Sequence, residues 1–225
     1  MNLVSRDLKV KYRRSFLGIL WSLLNPILMM LVMSAVFSTI FRNNIENFPL
    51  YLICGQTLFG FFNEATSGAL SSVVGASSLI KKVYIPKYIF PLEKVMFAFV
   101  NLLFSLVAVA VMCVIFGIEL SWTMLLFPIP LLGLLMFSTG LGLVLTTCNV
   151  FFRDVQHLYS VVIMAWTYIT PIFYPIEMLE GSFVYGFVKA NPLTSYLTYF
   201  RNVVLYGTVP TLTDNLICFG WEWQH

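Results

Sequence analysis

Residues 15–41 run for 27 positions without a charged side chain, bounded by Arg14 and Arg42. About 20 mostly apolar residues are enough for a helix to cross the roughly 30 Å hydrocarbon layer of a bilayer. The run therefore sets the solvent in which this chain folds, and that solvent is lipid. It is too long for the apolar part of a secretory leader, and no small-residue cleavage site follows it, so it reads as a retained span. The remainder agrees: 10% of the 225 residues are charged and the mean hydropathy is +0.86, whereas soluble domains carry roughly 25% charged residues.

Length and charge interruption divide the chain into five spans, at about 16–41, 50–70, 95–116, within the 33 uncharged residues 120–152, and at 158–174. The uncharged stretch before Arg153 is too short for two spans and a turn. The expected fold is thus an all-α integral membrane bundle. Orientation follows from the cations. Arg6, Lys9, Lys11, Arg13 and Arg14 precede the first span, Lys81, Lys82, Lys87 and Lys94 lie between the second and third, and Arg153 follows the fourth. With the N-terminus inside, ten of the thirteen lysines and arginines fall on the cytoplasmic face, as positive-inside bias requires.

After the fifth span, apolar and aromatic residues continue but are broken by Glu177, Glu180, Gly181, Gly186, Lys189 and Pro192. Neither half is long enough to span, so 175–210 reads as an external interfacial or re-entrant region. Residues 211–225 leave no room for a convincing further span.

Three segments invite mechanistic readings. In 1–15, Val4, Leu8 and Tyr12 share one helical face while Arg6, Lys9 and Arg13 take another, which suits an amphipathic helix in the cytoplasmic interface; a plain positive-inside anchor is the alternative. In 71–94, small polar residues lead into Leu79-Ile80-Lys81-Lys82-Val83-Tyr84-Ile85, with Pro86 and Pro91 as breakers. A short helix there could offer Leu79, Ile80 and Val83 to a partner's groove, or the segment could be a solvated basic loop. Glu64 is the clearest ionisable residue inside a span, with Asn63 beside it and Asn101 in the next; it can line a pathway, pair within the bundle, or reach water near the cytoplasmic end. Aromatics at 16% are mostly lipid-facing or packing residues, though a minority can line a route for sugars. Ser138 and Gly142, four apart, permit close helix approach.

Other classes find little footing. The cations sit at span ends and form no stripe for nucleic acid. Cys54, Cys113, Cys148 and Cys218 are isolated in apolar segments, with no metal or redox spacing. Gly55 and Gly60 have phosphate-loop spacing, but Phe61 stands where lysine is needed. No catalytic motif is visible, so no catalytic, cofactor-binding or metal-binding residue is expected.

The motifs themselves resemble a known family. The stretch RDLKVKYRRSFLGILWSLLNP from Arg6 to Pro26 is similar to the opening of ABC-2 type transporter permeases, in particular those exporting O-antigen, capsule or teichoic-acid polymers on lipid carriers. LIKK from Leu79 to Lys82, followed by Ile85-Pro86, resembles that family's cytoplasmic coupling segment. NVFFRDV from Asn149 to Val155 resembles its loop between spans four and five, and Thr170–Pro175 with Ala190–Leu193 through Phe200-Arg201 its external re-entrant region. The resemblance implies two permease copies enclosing a pathway in the bacterial cytoplasmic (inner) membrane, with the N-terminus cytoplasmic. It implies a separate ATPase that holds ATP and magnesium, docks on Leu79–Ile85 and the N-terminal helix, and drives a lipid-linked polysaccharide through. The family has six spans and a cytoplasmic C-terminus, so 211–225 reads as a truncated last span, and a chain that folds poorly or transports weakly alone is expected. A drug or lipid exporter of the same fold is the nearest alternative. A membrane enzyme acting on polyprenyl-linked sugars is more remote, with only Asp154 and His157 to offer.

Overall fold

The computed structural model describes residues 20–41, 47–81, 84–118 and 121–208. The basic segment with Arg6, Lys9, Lys11, Arg13 and Arg14, the pair Lys82 and Val83, and the last residues 209–225 lie outside the described residues. What is described is helical, with no strand among the described residues: α1 (Leu20–Phe41), α2 (Phe48–Gly75), α3 (Ser77–Ile80), α4 (Ile89–Ile115), α5 (Pro128–Phe151), α6 (Val155–Ile169), α7 (Phe183–Ala190) and α8 (Pro192–Val204). Two 3₁₀ turns, Trp122–Leu126 and Ile176–Leu179, join them.

Among the described residues, three stretches are both long and apolar enough to cross a membrane: most of α1, all of α4, and Trp122–Phe151, which includes α5. At 1.5 Å per residue, α2 rises about 42 Å and is also long enough. It carries Gln56, Asn63 and Glu64 and is less apolar than the others. The reason is its place: α2 is the central helix, packed against α1, α4, α5, α6 and α8. A helix enclosed by other helices can hold polar residues that a lipid-facing helix cannot. In contrast, Met30 is the one buried residue among the described side chains of α1.

Three expected boundaries change, the first being the end of the second span, since α2 runs to Gly75, five residues past it. The third span begins six residues early, because Pro91 sits in the first turn of α4 and does not break it. A proline there gives up an N–H that has no helical partner anyway. The fifth helix ends at Ile169, five residues before the expected boundary. Pro171 forces Thr170 out of the helical region, to ψ 131°, and the chain runs irregularly to Pro175.

The seam between α2 and α5 is built from small and short polar side chains. A Cβ added at Gly142 would come within 2.9 Å of the Ala69 Cβ, so the expected close approach is made there. One turn on, the Thr146 hydroxyl lies 2.7 Å from the carbonyls of both Ala69 and Gly142, and Asn149 Nδ2 donates to the Leu70 carbonyl at 2.9 Å. On the other flank of α2, the Tyr159 hydroxyl of α6 donates to Thr66 Oγ1 at 2.6 Å. Phe62 fills the space between, against Phe137 and Trp166.

These contacts sort the bundle into two ends. At one, α3, the turn before α4 with Lys87, and the α5–α6 turn with Arg153 and Asp154 gather around the end of α2. At the other, α8 lies over the start of α2 and the end of α6, with α7 packed against α8. In a background without native cysteines, Lys87→Cys and Asp154→Cys are expected to react with an impermeant maleimide from one face of the membrane, and Glu180→Cys from the opposite face. Labelling 87 and 154 from different faces would contradict this arrangement. Gly142→Leu forces α5 off α2 and is expected to cost about 1–3 kcal/mol, read as a lower thermal midpoint in detergent; an unchanged midpoint counts against the seam.

Candidate functional site

A cavity of about 570 Å³ lies between α1, α2, α4 and the end of α6. Ser22, Asn25, Pro26, Met29 and Met33 face it from α1, and Gln56, Thr57, Gly60, Phe61 and Glu64 from α2. Both sets recur every three or four residues, as one face of a helix must. Asn101, Leu102 and Ser105 of α4 and Thr167, Ile172 and Phe173 complete the wall, with Trp21 and Phe59 beside them.

Two features account for the polar groups in a wall that is otherwise mostly apolar. Asn101 Nδ2 donates to Glu64 Oε1 at 2.9 Å, tying α4 to α2. A carboxyl group inside a membrane bundle needs a polar partner, since exposure to hydrocarbon is costly. The second is Pro26, inside α1. Its missing N–H releases the Ser22 carbonyl four residues earlier. The Ser105 hydroxyl stands 3.4 Å from that oxygen and 3.1 Å from the Asn101 carbonyl. A neighbouring serine is the usual remedy for a proline within a membrane helix.

At the α7–α8 end the cavity is bounded by Phe173, whose ring stacks on Phe37 of α1 with centroids 6.0 Å apart. The backbone carrying Phe173 is held by Arg201 of α8, which is 3% exposed. Its guanidinium donates to the carbonyls of Pro171 (2.7 Å), Ile172 (3.1 Å) and Tyr51 (2.9 Å), and lies 3.3 Å over the Tyr51 ring. The Tyr51 hydroxyl in turn is 2.9 Å from the Tyr174 carbonyl. Space for the guanidinium exists because residue 55 is glycine; a Cβ there would sit 2.6 Å from Arg201 Nη2. Asn191 fixes α8 itself, its Oδ1 accepting from the Leu193 N–H at 3.1 Å and from Trp166 Nε1 at 2.9 Å, while its Nδ2 donates to Thr170.

Of the residues singled out in the sequence, Glu64 and Asn101 are brought together in this wall. Leu79 and Ile80 are half-buried in α3, followed by exposed Lys81, and Ile85 is half-buried beyond the undescribed pair. Arg153, Asp154 and His157 are exposed at the α5–α6 turn and the start of α6 and do not line the cavity. Sequence reading missed Arg201, Tyr51 and Gly55. Arg201 entered only as the last residue of the motif resembling the external re-entrant region, with no partner assigned, and Gly55 only as half of a failed phosphate loop. An arginine in an otherwise apolar stretch ending in Tyr199-Phe200 was the available signal.

Replacing Asn101 by alanine removes one partner of Glu64, and a loss of about 1 kcal/mol is expected. The same substitution made in a Glu64→Ala background should cost much less. Full additivity in thermal unfolding would show that the two side chains are not coupled.

Comparison with known proteins places these features in a family. The profile of the ABC-2 type transporter family matches residues 1–205. The O-antigen export system permease protein RfbA of Myxococcus xanthus is 33% identical over 211 residues, covering 93% of this chain and 81% of the relative. A protein of the same name from Klebsiella pneumoniae is 31% identical over 209 residues, covering 92% and 80%. The polysialic acid transport protein KpsM of Escherichia coli is more distant, at 19% over 220 residues, with 91% and 80% covered. With the family profile matching residues 1–205 and nine-tenths of its length aligned with these relatives, the chain belongs to the ABC-2 type transporter family.

Proposed function

We propose that this chain is the membrane-spanning permease subunit of an exporter that carries lipid-linked polysaccharide, such as O-antigen, capsule or teichoic acid, across the bacterial cytoplasmic (inner) membrane. The observation that carries the reading is the cavity between α1, α2 and α4. Its wall combines amides, hydroxyls, a carboxylate and aromatic rings, the chemistry by which sugar hydroxyls and ring faces are contacted. The names of the relatives, O-antigen export permease and polysialic acid transport protein, support the same substrate class.

In this reading α1, α2, α4, α5 and α6 are the five spans, α6 being short at about 22 Å, and α7–α8 form the external re-entrant hairpin. The N-terminus and α3 are cytoplasmic, consistent with ten of thirteen cations on that side. Two copies enclose the route. Hydrolysis belongs to a separate ABC ATPase that holds ATP and magnesium; this chain supplies no cofactor site and is not an enzyme. The ATPase docks on Leu79, Ile80, Lys81, Lys82, Val83 and Ile85 and on the basic N-terminal segment with Arg6, Lys9, Lys11, Arg13 and Arg14, and its closure moves α2 and α4 through α3. Arg153 and Asp154 lie on the same face. Binding of nucleotide on one chain and movement of glycan on another are then linked reciprocally.

Deletion of the gene is expected to leave lipid-linked glycan on the inner leaflet, and plasmid-borne expression of the full-length permease to clear it. Accumulation of a different cargo would redirect the assignment to another exporter class. The double substitution Leu79→Asp, Ile80→Asp is expected to abolish co-purification of the ATPase and export together, with membrane insertion preserved. An ATPase still bound after this change would exclude α3 as its dock.

A further inference from the structure

Arg201 is expensive for a residue that only packs. It is buried, its partners are neutral carbonyls, and its Nε–H finds no acceptor. A buried arginine without a carboxylate is rarely the most stable choice; an apolar side chain of similar volume often does better. Local rules broken in this way concentrate where a chain has something to do besides fold. What Arg201 grips is informative. Pro171 and Ile172 belong to the single stretch of the cavity wall that is not helical, and the next residue is Phe173, stacked on Phe37 of α1. The third carbonyl, Tyr51, belongs to α2 on the opposite side.

We infer that Arg201 is a positioning residue for the closure of the export route: it latches the irregular segment Pro171–Phe173 to the start of α2, and so holds the Phe173 ring across the end of the cavity against Phe37. The inference rests on the export reading for its purpose, though not for its geometry. Arg201 spans the break from α8 while the Tyr51 hydroxyl braces the carbonyls of Pro171 and Tyr174, so Phe173 is flanked on both sides by anchored backbone. Gly55 admits the guanidinium from below. Release of the latch frees Phe173 from Phe37 and opens that end, without requiring any spanning helix to tilt.

The test uses the full-length permease with its ATPase in proteoliposomes, loaded with carboxyfluorescein and kept without ATP. Efflux is normalised to correctly inserted permease. Wild type is expected to be tight. Arg201→Lys keeps the charge but cannot reach three carbonyls with one ammonium. Gly55→Ala keeps Arg201 and displaces its guanidinium. Phe173→Ala removes the closing ring and leaves the latch. Arg201→Lys and Gly55→Ala are expected to raise efflux per permease about tenfold, the effect of losing one charge-assisted hydrogen bond, and Phe173→Ala, which removes the closing ring itself, to raise it at least as much. Gly140→Ala, on an open face of α5 with nothing within 4 Å, is expected to stay tight. A purely architectural arginine would reduce the amount of inserted permease and leave efflux per molecule unchanged; that result in Arg201→Lys and Gly55→Ala overturns the inference. So does failure of both to insert while Phe173→Ala remains tight. Because dye efflux is independent of cargo, a wild type that is tight but exports no glycan counts against the export reading alone.

Discussion

Hydrocarbon offers no hydrogen bonds, so every carbonyl that leaves a helix inside the bundle must be met by a donor from the protein. This constraint governs the break after Ile169. The carbonyls of Pro171, Ile172 and Tyr174 would each be orphaned, and each is met by Arg201 or Tyr51. From that one repair much else follows. Gly55 must lack a side chain, α8 must be buried beside α2, and Asn191 must anchor the start of α8 to Thr170 and Trp166. The same rule operates at Pro26, where Ser105 stands by the released carbonyl of Ser22. Both repairs border the cavity, and irregular backbone at membrane depth is tolerated where protein encloses it or a cavity adjoins it.

The bundle divides between tight and loose packing. The α2–α5 seam is close, with Gly142 against Ala69 and polar side chains of α5 capturing carbonyls of α2. The α6 helix adds the Tyr159–Thr66 bond and the Phe62–Trp166 contact. By comparison α1 holds on through Met30, the Phe37–Phe173 stack and the wall it shares around the cavity.

Much of this was legible in the residues. Uncharged runs located α1, α2, α4 and α5, though α4 starts six residues before and α2 ends five residues after the expected boundary, and the small polar residues around Ala76 marked the turn into α3. Hydropathy failed at α6, because Thr170–Pro175 is as apolar and aromatic as the helix before it. Pro171 carried the stop signal, since the residue ahead of a proline is driven out of the helical region. Pro91 sent the opposite message from what was read, since a proline in a first turn is compatible with a helix. Glu64 could not be assigned from spacing. Its partner Asn101 lies 37 residues away on another helix, and the rotation of one helix against another is not written in either sequence. Arg201 was the hardest, because its partners are backbone carbonyls, which every residue has.

The least apolar of the long helices is also the one on which the others converge, and this bears on how the protein is made. When α2 leaves the ribosome, Gln56, Asn63 and Glu64 enter the membrane with few companions. Asn101 emerges soon after, but Arg201, which closes on the Tyr51 carbonyl, lies 150 residues further along. At about 5–20 residues per second that separation lasts about 8–30 s. During that interval the nascent helix depends on the insertion machinery for shelter, and the permease becomes self-supporting only when its last described helix arrives.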